Sequence, residues 1–174
     1  ALPTANAGTP QTICNGQSAT LTATGGGTYV WSTGATTPSI TVSPTSTTNY
    51  TVTVTGTNGC TNTAVSTITV NPLPVANAGA PQAICSGQTA TLTASGGGTY
   101  MWSTGATTAT ITVNPISTTS YIVTVTNVNG CSSTASTTVT VNALPVANAG
   151  SPQTICNGQS ATITASGGGT YIWS

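Results

Sequence analysis

Apolar residues alternate with threonine along most of the chain. In Ser18–Thr24, Ala19, Leu21 and Ala23 alternate with Thr20, Thr22 and Thr24. This period of two marks a strand with one apolar face. Residues 28–33, which carry Tyr29 and Trp31, predict a second strand. Residues 39–43 predict a third, closed by Pro44. Residues 49–55 predict a fourth, with Tyr50, Val52 and Val54 inward and Thr51, Thr53 and Thr55 outward. Residues 61–70 predict a fifth, and a short extended piece, Gln11–Cys14, precedes them all. Gly25–Gly27, Gly34 and Asn58-Gly59 lie between strands. Asn-Gly is a hairpin signal, because both central residues of a two-residue turn favour positive φ. No stretch has helical spacing. Five to seven short strands at spacings near ten residues predict an all-β sandwich. Its expected core is Leu21, Trp31, Ile40, Val42, Tyr50, Val52, Val54 and Ile68 with their equivalents, including the aromatics Trp102, Tyr121 and Trp173. Tyr50, at the start of its strand, resembles a tyrosine corner.

The pattern repeats with a period of 71 residues. Cys14, Cys85 and Cys156 keep that spacing, as do Trp31, Trp102 and Trp173, and Cys60 and Cys131. Residues 1–71 and 72–142 match at 50 of 71 positions without a gap, and residues 143–174 match 1–32 at 27 of 32. The chain therefore reads as repeat 1 (1–71), repeat 2 (72–142) and the N-terminal part of a truncated repeat 3 (143–174), a window on a longer array. A sandwich of this size buries only about 60% of its unfolded surface, so a staple is expected. Pro72 and Pro74 stiffen the joint between units. The expected whole is a semi-rigid rod, each unit adding about 35–45 Å.

Composition removes most functions. Among 174 residues there is no Asp, Glu, Lys, Arg or His, whereas an ordinary soluble chain is about a quarter charged. Catalysis needs a base or an activated nucleophile, and no side chain can act as the base. No catalytic or cofactor-binding residue is therefore assigned. Calcium needs carboxylates and zinc needs about four Cys or His ligands, so no metal site is assigned. Nucleic-acid binding lacks its cationic term. No run of about 18 apolar residues is present to span a membrane. Gly25–Gly27 connects two strands, which reads as a turn rather than a phosphate cradle. Five Cys in a chain rich in Thr and Gly point to an oxidising, extracellular or cell-surface setting.

Three segments resemble a known family: residues 14–23 (CNGQSATLTA), 25–37 (GGGTYVWSTGATT) and the Tyr50–Cys60 stretch ending Asn-Gly-Cys. They are similar to the Ig-like or PKD-like tandem repeats of long secreted adhesins and gliding-type surface proteins of Bacteroidota, exported by the type nine route. The resemblance implies tandem Ig-like β-sandwiches serving as a stalk or adhesive module outside the cell. It names no ligand. Family members often carry Asp before the Asn-Gly-Cys turn, where this chain has Gly56 and Asn127.

Two disulfide pairings that respect the period stand beside free buried thiols: Cys14 with Cys60 inside a unit, or Cys60 with Cys85 across units. If the five strands alternate in direction, Cys14 and the Cys60 turn share a pole. This favours Cys14–Cys60 and Cys85–Cys131, with Cys156 left unpaired by truncation. The 61 Ser and Thr side chains offer sites for O-linked sugar. Thr51, Thr53, Thr55, Thr61 and Thr63 are the candidates, against the plain reading that Thr suits a half-exposed strand. Asn49-Tyr50-Thr51 is the only N-x-[ST] sequon. The expected role is a structural segment of an extracellular adhesin or filament. Its expected partners are other copies of the chain in a filament or bundle, or surface glycans. The alternative is a carbohydrate- or ice-binding module using Trp and Tyr or the Thr-rich faces.

Overall fold

The structure, a computed structural model, describes residues 1–174 and is all-β. The first unit has six strands: β1 (Gln11–Cys14), β2 (Ala19–Thr22), β3 (Thr28–Trp31), β4 (Ser39–Val42), β5 (Thr48–Thr55) and β6 (Thr61–Asn71). The second repeats them as β7 (Gln82–Cys85), β8 (Ala90–Thr93), β9 (Thr99–Trp102), β10 (Thr110–Val113), β11 (Thr119–Thr126) and β12 (Ser132–Asn142). In the first unit one sheet has the order β1-β6-β5-β3 and faces the pair β2-β4. The second unit has β7-β12-β11-β9 facing β10-β8.

The alternation in β5 sets the register. Tyr50, Val52 and Val54 are buried, and the threonines between them are only half-buried. A shift by one residue would reverse the two faces. Leu21, Trp31, Ile40 and Ile68 join them in one core, with Val42 half-buried against it. The second core is built likewise around Leu92, Trp102, Ile111, Tyr121, Val123, Val125 and Val139. Each buried indole keeps a polar partner. Trp31 Nε1 donates to the Thr37 carbonyl at 2.9 Å, and Trp102 Nε1 to the Thr108 carbonyl at 3.0 Å.

Strand direction departs from simple alternation. β1 runs parallel to β6 and β5 antiparallel to it, while β3 is antiparallel to β5. A tight turn, with Gln17 N donating to the Cys14 carbonyl at 3.0 Å, sends β2 back along β1. Since β4 is antiparallel to β2, β3 and β4 point the same way. The chain achieves this by doubling back at once after β3, where Gly34 N donates to the Trp31 carbonyl and Trp31 N to that of Ala35. The reversal costs one alternation.

The expected two-residue turn at Asn58-Gly59 is also corrected. No residue other than glycine has positive φ, and Gly59 alone takes it there, at 78°. Gly56 N donates to the Cys60 carbonyl and Gly59 N to the Gly56 carbonyl. This is a three-residue hairpin loop closed by a left-handed glycine.

Residues 143–174 form the same local turns. Beyond the single bridge Asn148–Ser166, no strand pairs with them. Trp173, expected in a core, is 54% exposed. Its counterpart Trp31 is buried because β5 lies beside it, with Val52 opposite.

Candidate functional site: the junction between the sandwiches

The most distinctive chemistry lies where the first sandwich meets the second. Cys14 ends β1 beside Asn71, the last residue of β6. Asn71 leads directly into Pro72 and the second unit. Asn15 N donates to the Asn71 carbonyl at 2.9 Å, which holds the Cys14 corner against the exit of the chain. On the other side, the β11–β12 turn carries Cys131. Asn127 organises that turn: its Oδ1 accepts from Asn129 N and Cys131 N, each at 3.0 Å. Its Nδ2 donates to the Pro72 carbonyl at 3.0 Å, and Ser133 Oγ donates to the Pro74 carbonyl. The proline joint is thus bound by its carbonyls to the turn of the unit it enters.

Across this junction Cys14 is bonded to Cys131, with Cα atoms 5.6 Å apart and a sequence separation of 117. The expected pairs Cys14–Cys60 and Cys85–Cys131 do not form. Cys60, Cys85 and Cys156 are thiols. The reason is the reversal after β3. Cys14 lies where β6 ends, and Cys60 lies where β6 begins. Eleven residues of β6 separate the two poles, about 33 Å at strand rise, whereas a disulfide needs Cα atoms within about 7 Å. The expected Cys60–Cys85 alternative does not form either. In the sequence Asn127 stands out only as a departure from an acidic pattern. Its spacing from Cys131 and from the proline joint was the available signal.

The first unit makes the same linker contacts with different side chains. Asn58 Nδ2 donates to the Ala1 carbonyl and Asn62 Nδ2 to the Pro3 carbonyl, each at 2.9 Å. Asn58 Oδ1 accepts from Cys60 N at 3.2 Å. Gly56 stands where the second unit has Asn127, and a Cβ there would meet Asn58 Oδ1 at 2.9 Å. The two solutions are alternative ways to brace one turn.

The other sequence candidates are distributed as follows. Trp31, Tyr50, Trp102 and Tyr121 are buried, so neither sandwich offers a tryptophan platform to a sugar. Thr51, Thr53 and Thr55 are half-buried, and Thr61 and Thr63 are exposed. Thr53 faces Thr63 and Thr55 faces Thr61 across β5 and β6. On the opposite sheet Thr20 Oγ1 lies 3.2 Å from Thr41 Oγ1, and Thr22 Oγ1 lies 2.9 Å from Ser39 Oγ. Those hydroxyls are engaged with one another. No three Cys side chains gather as a metal would require, and no helix is long and apolar enough to cross a membrane.

No protein family matches the chain, and no curated protein does. Solved structures with a similar arrangement include the first two Ig domains of DIP-gamma, 13% identical, covering 80% of this chain and 97% of that one at a TM-score of 0.39. Titin domains I67–I69, in an E-to-A variant, are 13% identical, with 83% and 67% covered at 0.40. The fibronectin(III)-like modules of Clostridium thermocellum CbhA are 9% identical, with 78% and 91% covered at 0.38. The class itself follows from this chain's own strands. Within each unit the second and fourth strands pair, facing a sheet in which the third, fifth and sixth lie together. That is the B–E and C–F–G division of an Ig-like sandwich. The chain is a tandem array of such sandwiches.

Proposed function

We propose that this chain is a structural, non-enzymatic segment of an extracellular adhesin or filament: a stalk whose units are clamped head to tail and whose surface carries O-linked sugar. The observation that carries the reading is the Cys14–Cys131 bridge. A staple inside one unit would stabilise that unit alone. This one fixes the orientation of two successive units, with Cys131 only 1% exposed. The Pro72 and Pro74 carbonyls bound to the next turn serve the same end. A disulfide of this kind persists in an oxidising compartment, which supports a place outside the cell.

The surface supports the sugar coat. A chain without charge has no electrostatic repulsion from its neighbours, and near-zero net charge promotes association. Sugar on Thr61 and Thr63, and on the half-buried Thr51, Thr53 and Thr55, would supply hydration and separation. Packing against other copies in a filament would use the same surface differently. Intact mass of native material distinguishes the two: added hexose mass supports the coat, and bare mass in a filament supports packing. Bare mass in a chain that stays monomeric at high concentration removes both.

The stalk reading is tested by pulling the chain from its two ends. With the bridge closed, the residues between Cys14 and Cys131 are shielded from stretch. Reductant should add about 400 Å of contour length, from 117 residues at about 3.5 Å each. An extension that is the same with and without reductant overturns the reading.

A further inference from the structure

We infer that the Cys14–Cys131 bridge is one link of a repeating series, and that a further unit of this same repeat docks on each open pole through Cys60 and Cys85. The bridge joins the β1-end cysteine of one unit to the turn cysteine of the next. Cys85 occupies in the second unit the place Cys14 has in the first: it ends β7 opposite Asn142, as Cys14 ends β1 opposite Asn71. Ser86 N donates to the Asn142 carbonyl at 2.9 Å, as Asn15 N does to Asn71. Cys60 in turn corresponds to Cys131, closing a hairpin whose backbone bonds are the same. Each is half of a junction whose complete form is present in the same molecule.

The open poles carry the marks of an unmet partner. Cys131 is buried by the unit it meets, whereas Cys60 is half-buried and Cys85 exposed. Beside Cys60 a hollow of about 290 Å³ lies between Pro3, the Gly25–Gly26 turn and Gly56–Asn58. The occupant that fits is the β1-end corner of a preceding unit, because that is what covers the equivalent pole. Each new bond forms from two thiols by exchange with a small-molecule disulfide such as oxidised glutathione. That disulfide takes up two electrons and two protons and leaves as two thiols.

The inference extends the stalk reading and is tested apart from it. A copy of residues 72–142 is joined directly before Ala1, and the lengthened chain is oxidised in a glutathione buffer. Peptide mapping without reductant should link Cys60 to the added copy of Cys85, with Cys14–Cys131 retained. The turn cysteine of the added unit should remain a thiol. Substituting Cys60→Ser should release the added β1-end cysteine as a thiol. A second chain, with a copy of residues 104–142 joined after Ser174, should link Cys85 to the added turn cysteine. If Cys60 and Cys85 stay thiols in both chains while circular dichroism shows the added units folded, the series is overturned. A bond from the added turn cysteine to Cys156, inside one unit, overturns it equally. Should one lengthened chain fail to fold, the other decides. In either negative case, small-angle scattering of an elongated particle would leave the stalk reading standing.

Discussion

Ser66 and Thr137 occupy equivalent places, opposite Tyr50 and Tyr121, and their hydroxyls are buried without a partner. A buried hydroxyl left unpaired costs about 1–3 kcal/mol in desolvation. Ser66→Ala and Thr137→Val should therefore each raise stability by about 1 kcal/mol, read as a higher urea midpoint at unchanged slope. A lower midpoint would show that the hydroxyls have partners. Glycines separate the same way, by what surrounds them. Gly27 has φ 127°, and a Cβ there would lie 1.9 Å from the Thr55 carbonyl oxygen, where β5 ends. Gly34 has φ 84° and open space around it. Gly34→Ala should cost about 1 kcal/mol, the penalty of left-handed backbone alone. Gly27→Ala should cost at least about 3 kcal/mol, since backbone must also move, and thermal unfolding of the two variants should rank them so.

Among the elements, β5 is the centre of its sheet, paired with β3 and β6, and it carries three core side chains. Val52 and Val54 are 0% exposed. Val52→Ala or Val54→Ala should cost about 1–3 kcal/mol, with the equivalent Val123→Ala similar; a neutral result would mean that β5 does not hold the core. Strands and register were readable in the sequence because each inward residue alternates with Thr and a period of two has only two phases. Strand directions were not. The turn that follows Trp31 reverses the chain within four residues, too short to register as a strand, and one missed reversal inverts every later pole. That inversion places Cys60 at the pole opposite Cys14 and removes the pairing inside a unit. Cys14 with the turn cysteine one unit on also respects the 71-residue period, and only the three-dimensional placement of β6 selects it. Trp173 shows the same limit: its own segment repeats the pattern, but burial depends on a strand that pairs with it.

At the scale of the whole molecule, the absence of charge makes a thermodynamic statement. Stability varies with pH only through the difference in protons bound by the folded and unfolded chains. With no Asp, Glu, His or Lys, that difference vanishes between about pH 4.5 and 7 apart from the chain termini. The urea midpoint should be flat across that window, neither rising nor falling, and insensitive to added sodium chloride up to about 0.15 M, where screening acts on charges the chain does not have. A shift with pH in either direction would reveal titrating groups added to the chain, such as acidic sugars.

The span of the Cys14–Cys131 bridge bears on wear. In a chain without crosslinks, a protease that cuts one peptide bond in an exposed loop leaves two covalently separate pieces, because every bond lies in series. Here any single cut from residue 15 to residue 130 leaves both fragments joined through sulfur. The bridge spans 117 residues, longer than one 71-residue repeat, so it protects the joint at Pro72 and Pro74 together with the loops on both sides. A chain nicked there would remain one covalent piece, and the damage would show only when the sulfur bond was opened.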